Sequence, residues 1–344
     1  MNDLDFKLVV AGGVFACAAI SSSASATSFD CGKAATAVEK TICAEPSLSA
    51  LDDKLAVLYK DMLAVATDKA SIVRLQHEWI APDSDLDGNR STCEERADTR
   101  LTCLTAAYDK RLTLLAAMKP LLQMSDQPAD EGWRFDLRKV SDKYDFTIRM
   151  LNQCELDKTD DSFTCEQPGL VYVSKKGQAL PFQVMPMNNI FLSLYKAAPA
   201  SAAQLAEYGE QSTILVGDFH FDGEEDIAIR NGNRSSYNGP SFDVWLKSGK
   251  QGGWRYSAAL TGLVQNSLGF FQVDVKRKRL MTSERSGCCY HVTTEYQLVR
   301  DQPVPTIRTI HDGLVEGRYN YVYEERWAGK RWQRISTRRT DRQK

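Results

Sequence analysis

The chain has 344 residues, of which 43% are hydrophobic and 26% charged, with a net charge of −2. That is long and apolar enough for two buried cores, and it excludes an intrinsically disordered chain. The near-neutral balance gives no global reason to bind nucleic acid.

At the start, Lys7 precedes the apolar run LVVAGGVFACAAI, and Ala24-Ser25-Ala26 forms a small-residue cleavage site. Residues 1–26 therefore read as a secretory signal peptide, too short and wrongly flanked for a stable membrane span. A second exit route is a lipoprotein anchored through Cys17, to which Phe15 is a poor fit. The mature protein is expected to be soluble and periplasmic. Eight cysteines remain after cleavage: Cys31, Cys43, Cys93, Cys103, Cys154, Cys165, Cys288 and Cys289. An even number in an exported chain predicts disulfides rather than zinc ligands or redox thiols.

Residues 27–120 have a helical period. Leu48, Leu51, Leu55, Leu58, Tyr59, Met62 and Leu63 form one stripe, followed by Ile72, Leu75 and Trp79. Leu101, Leu104, Tyr108, Leu112 and Leu115 make another. Ser47 or Ser49 is placed to cap the first helix, and Pro120 to end the last. The aperiodic stretch 121–133 predicts a linker that few contacts cross. From residue 134 to 344 short alternating runs such as TILVGDF, SFDVWL and YNYVYEERW predict an antiparallel β domain. The expected class is α+β in two domains, a small disulfide-stapled helical unit followed by a β-sandwich-like one. The basic residues from Arg326 onward (Lys330, Arg331, Arg334, Arg338, Arg339, Arg342, Lys344) read as a solvated last strand with a frayed end.

Phe29, Cys31, Ala34, Glu39, Ile42, Cys43, Leu51, Asp52, Leu55, Tyr59, Gln76, Trp79, Cys93, Cys103, Leu104, Tyr108 and Arg111 carry a resemblance over residues 29–115. This segment resembles the LprI-like N-terminal domain, a disulfide-stapled helical module of exported bacterial proteins. The family name comes from a lysozyme inhibitor, so the resemblance weakly implies inhibition of peptidoglycan hydrolases. Its aromatic residues are expected in the core rather than on a contact surface. Within it, DSDLDGNRSTCE fits an EF-hand calcium loop, with Asp83, Asp85, Asp87 and Glu94 at ligand positions and Gly88 at the turn. Arg90, Pro82 and Cys93 depart from that pattern, and an Asp/Gly/Asn loop between helices also occurs without metal.

In the β half, GDFHFDGEEDIAI places Asp218, Asp222 and Asp226 around Gly223, as in calcium loops of β-rich exported proteins, with the Glu224 carbonyl completing the cage. Crowded carboxylates repel one another, and a structural calcium ion relieves that repulsion. His220 stands where Asn or Asp is expected, and a plain Asp222-Gly223 hairpin is the alternative. Further on, SGCCYH at 286–291, together with Gly217–Ile229, Asn231–Trp245 and LGFFQVD, resembles the periplasmic lysozyme inhibitors. That family includes immunity proteins against peptidoglycan-cleaving toxins. The resemblance implies that Ser286, Gly287 and Tyr290 enter the cleft of a target glycoside hydrolase.

The four helical-domain cysteines are expected to pair among themselves. Cys154 and Cys165 either bond to each other, leaving a vicinal Cys288–Cys289 pair, or bond to Cys288 and Cys289. No H-E-x-x-H, G-x-S-x-G or P-loop occurs, and His77, His220, His291 and His311 are scattered, so no enzyme is expected. The expected partner is a lysozyme or other peptidoglycan hydrolase. The second functional reading is a calcium-dependent adaptor or cell-wall-binding protein.

Overall fold

The computed structural model describes residues 27–81, 88–123, 134–152, 157–159, 162–195, 204–205, 212–249, 252–315 and 319–341. The class is α+β, with helices first and antiparallel sheets after them. Among the described residues no helix is long and apolar enough to cross a membrane.

Helix α1 (Ala37–Ala44) opens on a capping box, in which Thr36 and Glu39 each bond the other's backbone amide. Helix α2 (Pro46–Val65) starts on a proline at its first turn, where the missing amide costs nothing. It has no side-chain cap. Ser49, expected there, instead donates to the Ile42 carbonyl. Helices α3 (Lys69–Ile80) and α4 (Arg100–Met118) complete the layer, and Pro120 sits in a 3-10 turn just past the end of α4. The predicted stripes enter one core, but Leu101 is exposed. Disulfides Cys31–Cys43 and Cys93–Cys103 staple this unit internally, as expected.

The β half consists of consecutive antiparallel sheets. The first holds β1 (Arg134–Leu137), β2 (Tyr144–Met150), β3 (Asp157–Thr159), β4 (Ser162–Lys175), β5 (Gln183–Tyr195) and β6 (Gln204–Leu205). The second holds β7 (Ile214–Gly217), β8 (Asp226–Ser235), β9 (Gly239–Lys247) and β10 (Trp254–Tyr256). After helix α5 (Ala258–Gln265) comes the third, with β11 (Gln272–Asp274), β12 (Arg279–Ser286), β13 (Tyr290–Val299), β14 (Gln302–Asp312), β15 (Tyr319–Trp327) and β16 (Trp332–Asp341).

Strand alternation explains how these layers join. Val171 and Val173 of β4 face the second sheet's Ile227, Ile229 and Trp245. Their neighbours Leu170 and Tyr172 face the helices. The other side of the second sheet, through Ala228, Val244 and Leu246, packs on α5 and the third sheet.

The helical unit is bonded to the sheets through buried polar groups, contrary to the expected sparse boundary. Arg111 donates to Asn188 at 2.9 Å, Asn188 to Glu78 at 2.7 Å, and Gln183 to Asp68 at 3.0 Å. Arg74 of α3 reaches Asp243 of β9 at 2.9 Å.

Candidate functional site

The turn between β12 and β13 carries the SGCCYH segment. Ser286 and Tyr290 face each other as the last pair of the two strands. Gly287 adopts φ 64°, a left-handed conformation that suits glycine. Cys288 and Cys289 are bonded to each other, so the vicinal alternative holds. Cys165 is also disulfide-bonded, while Cys154 lies outside the described residues.

Further contacts hold this turn. The Gly313 amide donates to the Cys289 carbonyl at 2.7 Å. The Gly287 amide donates to the Tyr237 hydroxyl at 2.9 Å, and the Arg285 guanidinium lies 4.3 Å from the Tyr237 ring centre. Tyr237 itself sits at φ 58°, a rare conformation for a bulky residue. The brace was not anticipated from sequence, and the only local signal was YNG, a turn tripeptide with a spare aromatic ring. Ser286, Gly287 and Cys288 are exposed, and Tyr290 is half-buried at the base of the turn. The arrangement offers a short rigid projection and has no nucleophile–base pair.

The acidic loop before β8 is built differently from the expected cage. Asp226 is fully buried: its Oδ1 accepts from the Lys247 amide, and its Oδ2 from the amides of Phe219 and His220. Glu224 turns its carboxylate to Lys143 at 3.3 Å. His220 stands between two acids, with Nδ1 2.8 Å from Asp226 and Nε2 3.1 Å from Asp222. Burial opposes the charge on His220, but its hydrogen bond to Asp226 and the nearby acids raise its pKa overall. Burial raises Asp226 too, against its hydrogen-bond donors. Among the described residues, only Asp218, His220 and Asp222 bring three ligand atoms within 4.8 Å of one another. Of the three carboxylates expected to hold calcium, Asp226 thus directs its oxygens to backbone amides, while Glu224 is expected to contribute only its carbonyl. The imidazole bridges Asp222 and Asp226, and brings positive charge between them in its protonated form. Asp218 also closes its own turn, accepting from the amides of Asp222 and Gly223.

Of the EF-hand-like loop, Asp83, Asp85 and Asp87 lie outside the described residues. Glu94 is diverted. Its carboxylate accepts from the amides of Ala37 and Val38, capping the positive end of α1.

The residues shared with the LprI-like module form a buried network. The Tyr108 hydroxyl donates to Asp52 at 2.7 Å, and Asp52 also accepts from the Ser28 amide. Trp79 meets Tyr108 edge-on at 5.1 Å. Arg111, 2% exposed, donates to Gln76 and to the Leu75 carbonyl, and burial pushes its pKa down to about 9. These aromatics are core, as expected.

No known family model matches the chain. Lipoprotein LprI of Mycobacterium bovis is 33% identical over 118 residues, covering 33% of this chain and 55% of that protein. Lipoprotein LprI of Mycobacterium tuberculosis matches with the same figures. The chain spans about half the length of the curated relatives it matches. Among solved structures, one titled "Structure of a Xanthomonas Type IV Secretion System related protein" has a TM-score of 0.48 at 18% identity. It covers 62% of this chain and 98% of its own.

Proposed function

We propose that the chain is an exported inhibitor of a peptidoglycan-cleaving glycoside hydrolase, a lysozyme or a secreted toxin, and not itself an enzyme. In this reading it seats the Ser286–Tyr290 turn in the target's cleft. The observation that carries the reading is the turn itself, fixed by the Cys288–Cys289 bond and braced by Tyr237. A projection ordered before binding loses little entropy when it docks. Tyr290 adds a rigid ring and a hydroxyl able to hydrogen-bond a catalytic carboxylate. The similarity of a third of the chain to a lipoprotein fits an exported chain.

The test is a turbidity assay on bacterial walls with a panel of lysozymes and secreted peptidoglycan hydrolases. The protein is expected to slow at least one of them and to cause no clearing alone. Clearing by the protein alone would make it a hydrolase and end the inhibitor reading.

A structural calcium ion at Asp218 and Asp222 belongs to the same proposal. Calcium is then expected to raise the melting temperature of the full chain by binding the native state, and Asp222→Ala to remove the shift. An identical melting curve with calcium and with chelator removes the ion from the account.

A further inference from the structure

The Ser286–Tyr290 turn has neighbours on both sides at the same end of the third sheet. Ser286, Tyr290, Asp312 and Tyr321 are successive cross-strand partners, one rung running from β12 to β15. The turn after Ser286 and the turn after Asp312 therefore leave the sheet at one level. Their centres lie two strand spacings apart, about 10 Å. On the other flank, the Leu268 amide donates to the Ser283 carbonyl and the Ser236 amide to the Ser267 carbonyl. These bonds set Tyr237 on the side of β12 away from β13. Tyr237, the Ser286–Tyr290 turn and the turn at 313–315 thus follow one another across this end of the sheet.

The three are fastened together. Tyr237 holds the central turn through the Gly287 amide, and Gly313 holds it through the Cys289 carbonyl. A Cβ on Gly313 would lie 3.0 Å from that carbonyl and 3.2 Å from the Cys289 Cβ, so the two turns touch backbone to backbone. Asp312 shapes the second turn by accepting from the Leu314 amide at 3.0 Å. What this edge presents to solvent is apolar. Tyr237 is 55% exposed and Leu314 58%, on either side of the exposed Cys288, and Val315 is exposed beside Leu314. Arg285 is turned to the Tyr237 ring and Asp312 to the Leu314 amide. A run of exposed apolar groups along one edge marks a contact surface.

We infer that the docking surface is this whole edge, with Tyr237 and Leu314 as its flanking contacts, and that its partner is a hydrolase with an open groove, the kind that cuts within a glycan chain. This rests on the inhibitor reading above. A partner that admits the central turn meets Leu314 about 10 Å away at the same level, well inside the roughly 800 Å² that a standard interface covers on each side. An enzyme that trims chain ends holds its substrate in a pocket closed at one side. Such a pocket admits one turn and collides with the other. A groove long enough for several sugars accepts both. The carboxylates that flank the scissile bond then lie opposite the central turn, and the apolar walls of the neighbouring sugar sites lie opposite Tyr237 and Leu314.

The test is inhibition of purified enzymes by the full chain: lysozymes that cut within the glycan, and N-acetylglucosaminidases that release terminal sugars. Only the first group is expected to be slowed. On the enzyme slowed most, Leu314→Asp is compared with Val275→Asp, in proteins whose melting temperatures match wild type. Val275 is also 58% exposed but follows β11 at the opposite end of the same sheet. Both variants add one negative charge. Leu314→Asp is expected to raise the inhibitory concentration about tenfold or more, and Val275→Asp to change it less than about twofold. Tyr290→Ala reports on the inhibitor reading separately. Loss of inhibition with Tyr290→Ala but not with Leu314→Asp would overturn the wider edge and keep the turn. Equal losses for Leu314→Asp and Val275→Asp would overturn it as well, because they indicate diffuse charge, and so would a terminal-sugar enzyme slowed as strongly as any lysozyme. A chain that slows no enzyme of either group defeats the inhibitor reading, and this inference with it.

Discussion

Replacing Arg74 by alanine is expected to destabilise the protein by about 3–5 kcal/mol, the range for stranding one partner of a buried ion pair. Arg74 is 8% exposed and Asp243 is 3% exposed, and they meet at 2.9 Å. The guanidinium also sits 5.1 Å from the Trp245 ring centre and 4.7 Å from that of Tyr256, so its loss removes packing as well as charge. Asn231, donating to Asp243 at 2.9 Å, is a neutral partner and does not cancel the stranded carboxylate. Burial already pushes the Asp243 pKa up against the pull of Arg74. Without that pull it should rise further, so protonation relieves the variant as pH falls and its deficit grows as pH rises through the raised pKa. Urea unfolding of wild type, Arg74→Ala and the double variant Arg74→Met/Asp243→Leu measures this, the double variant recovering much of the loss. A single variant within 1 kcal/mol of wild type would show that the pair does not hold the helices to the sheets.

Tyr290→Ala is expected to weaken inhibition by about 2 kcal/mol or more, roughly 30-fold, as for a central aromatic anchor. The fold should survive, because Tyr290 is half-buried at a strand end and belongs to none of the hydrophobic cores. Mild reduction supplies a second reading of the same turn. The Cys288–Cys289 bond joins neighbours in sequence, so it removes almost no loop entropy from the unfolded chain. Opening it should leave the melting temperature nearly unchanged while inhibition weakens, since the turn is then ordered at the moment of docking. Full inhibition by a folded Tyr290→Ala protein would remove the turn from the mechanism.

Much of this architecture can be read from sequence because it is local. A helical stripe such as Leu48–Leu55–Met62 records its own period, and so does the alternation in YNYVYEERW. The vicinal pair was one of two arrangements the spacing allowed. Contacts between layers left no such trace. Arg74 and Asp243 lie 169 residues apart, and Arg111 and Asn188 lie 77 apart, so neither pairing has a sequence period to betray it. Carboxylates misled for the same reason. Asp226 and Glu94 sit at ligand positions in short motifs, yet backbone amides from other segments claim their oxygens. A motif fixes the order of acids along a chain but not the direction in which each one points. The basic residues after Arg326 read as a solvated last strand, and β16 is exposed along most of its length, with Arg334, Arg338 and Arg339 in solvent.

The cysteine pairs have a consequence for biogenesis. Cys31–Cys43, Cys93–Cys103 and Cys288–Cys289 each join a cysteine to the next one along the chain. A polypeptide threaded unfolded through a translocation channel presents its thiols in that same order. An oxidase that links each thiol to the one just ahead of it reaches these native bonds directly, and none of them has to be reshuffled afterwards. Formation of these three bonds should therefore depend on an oxidant and be indifferent to an isomerase.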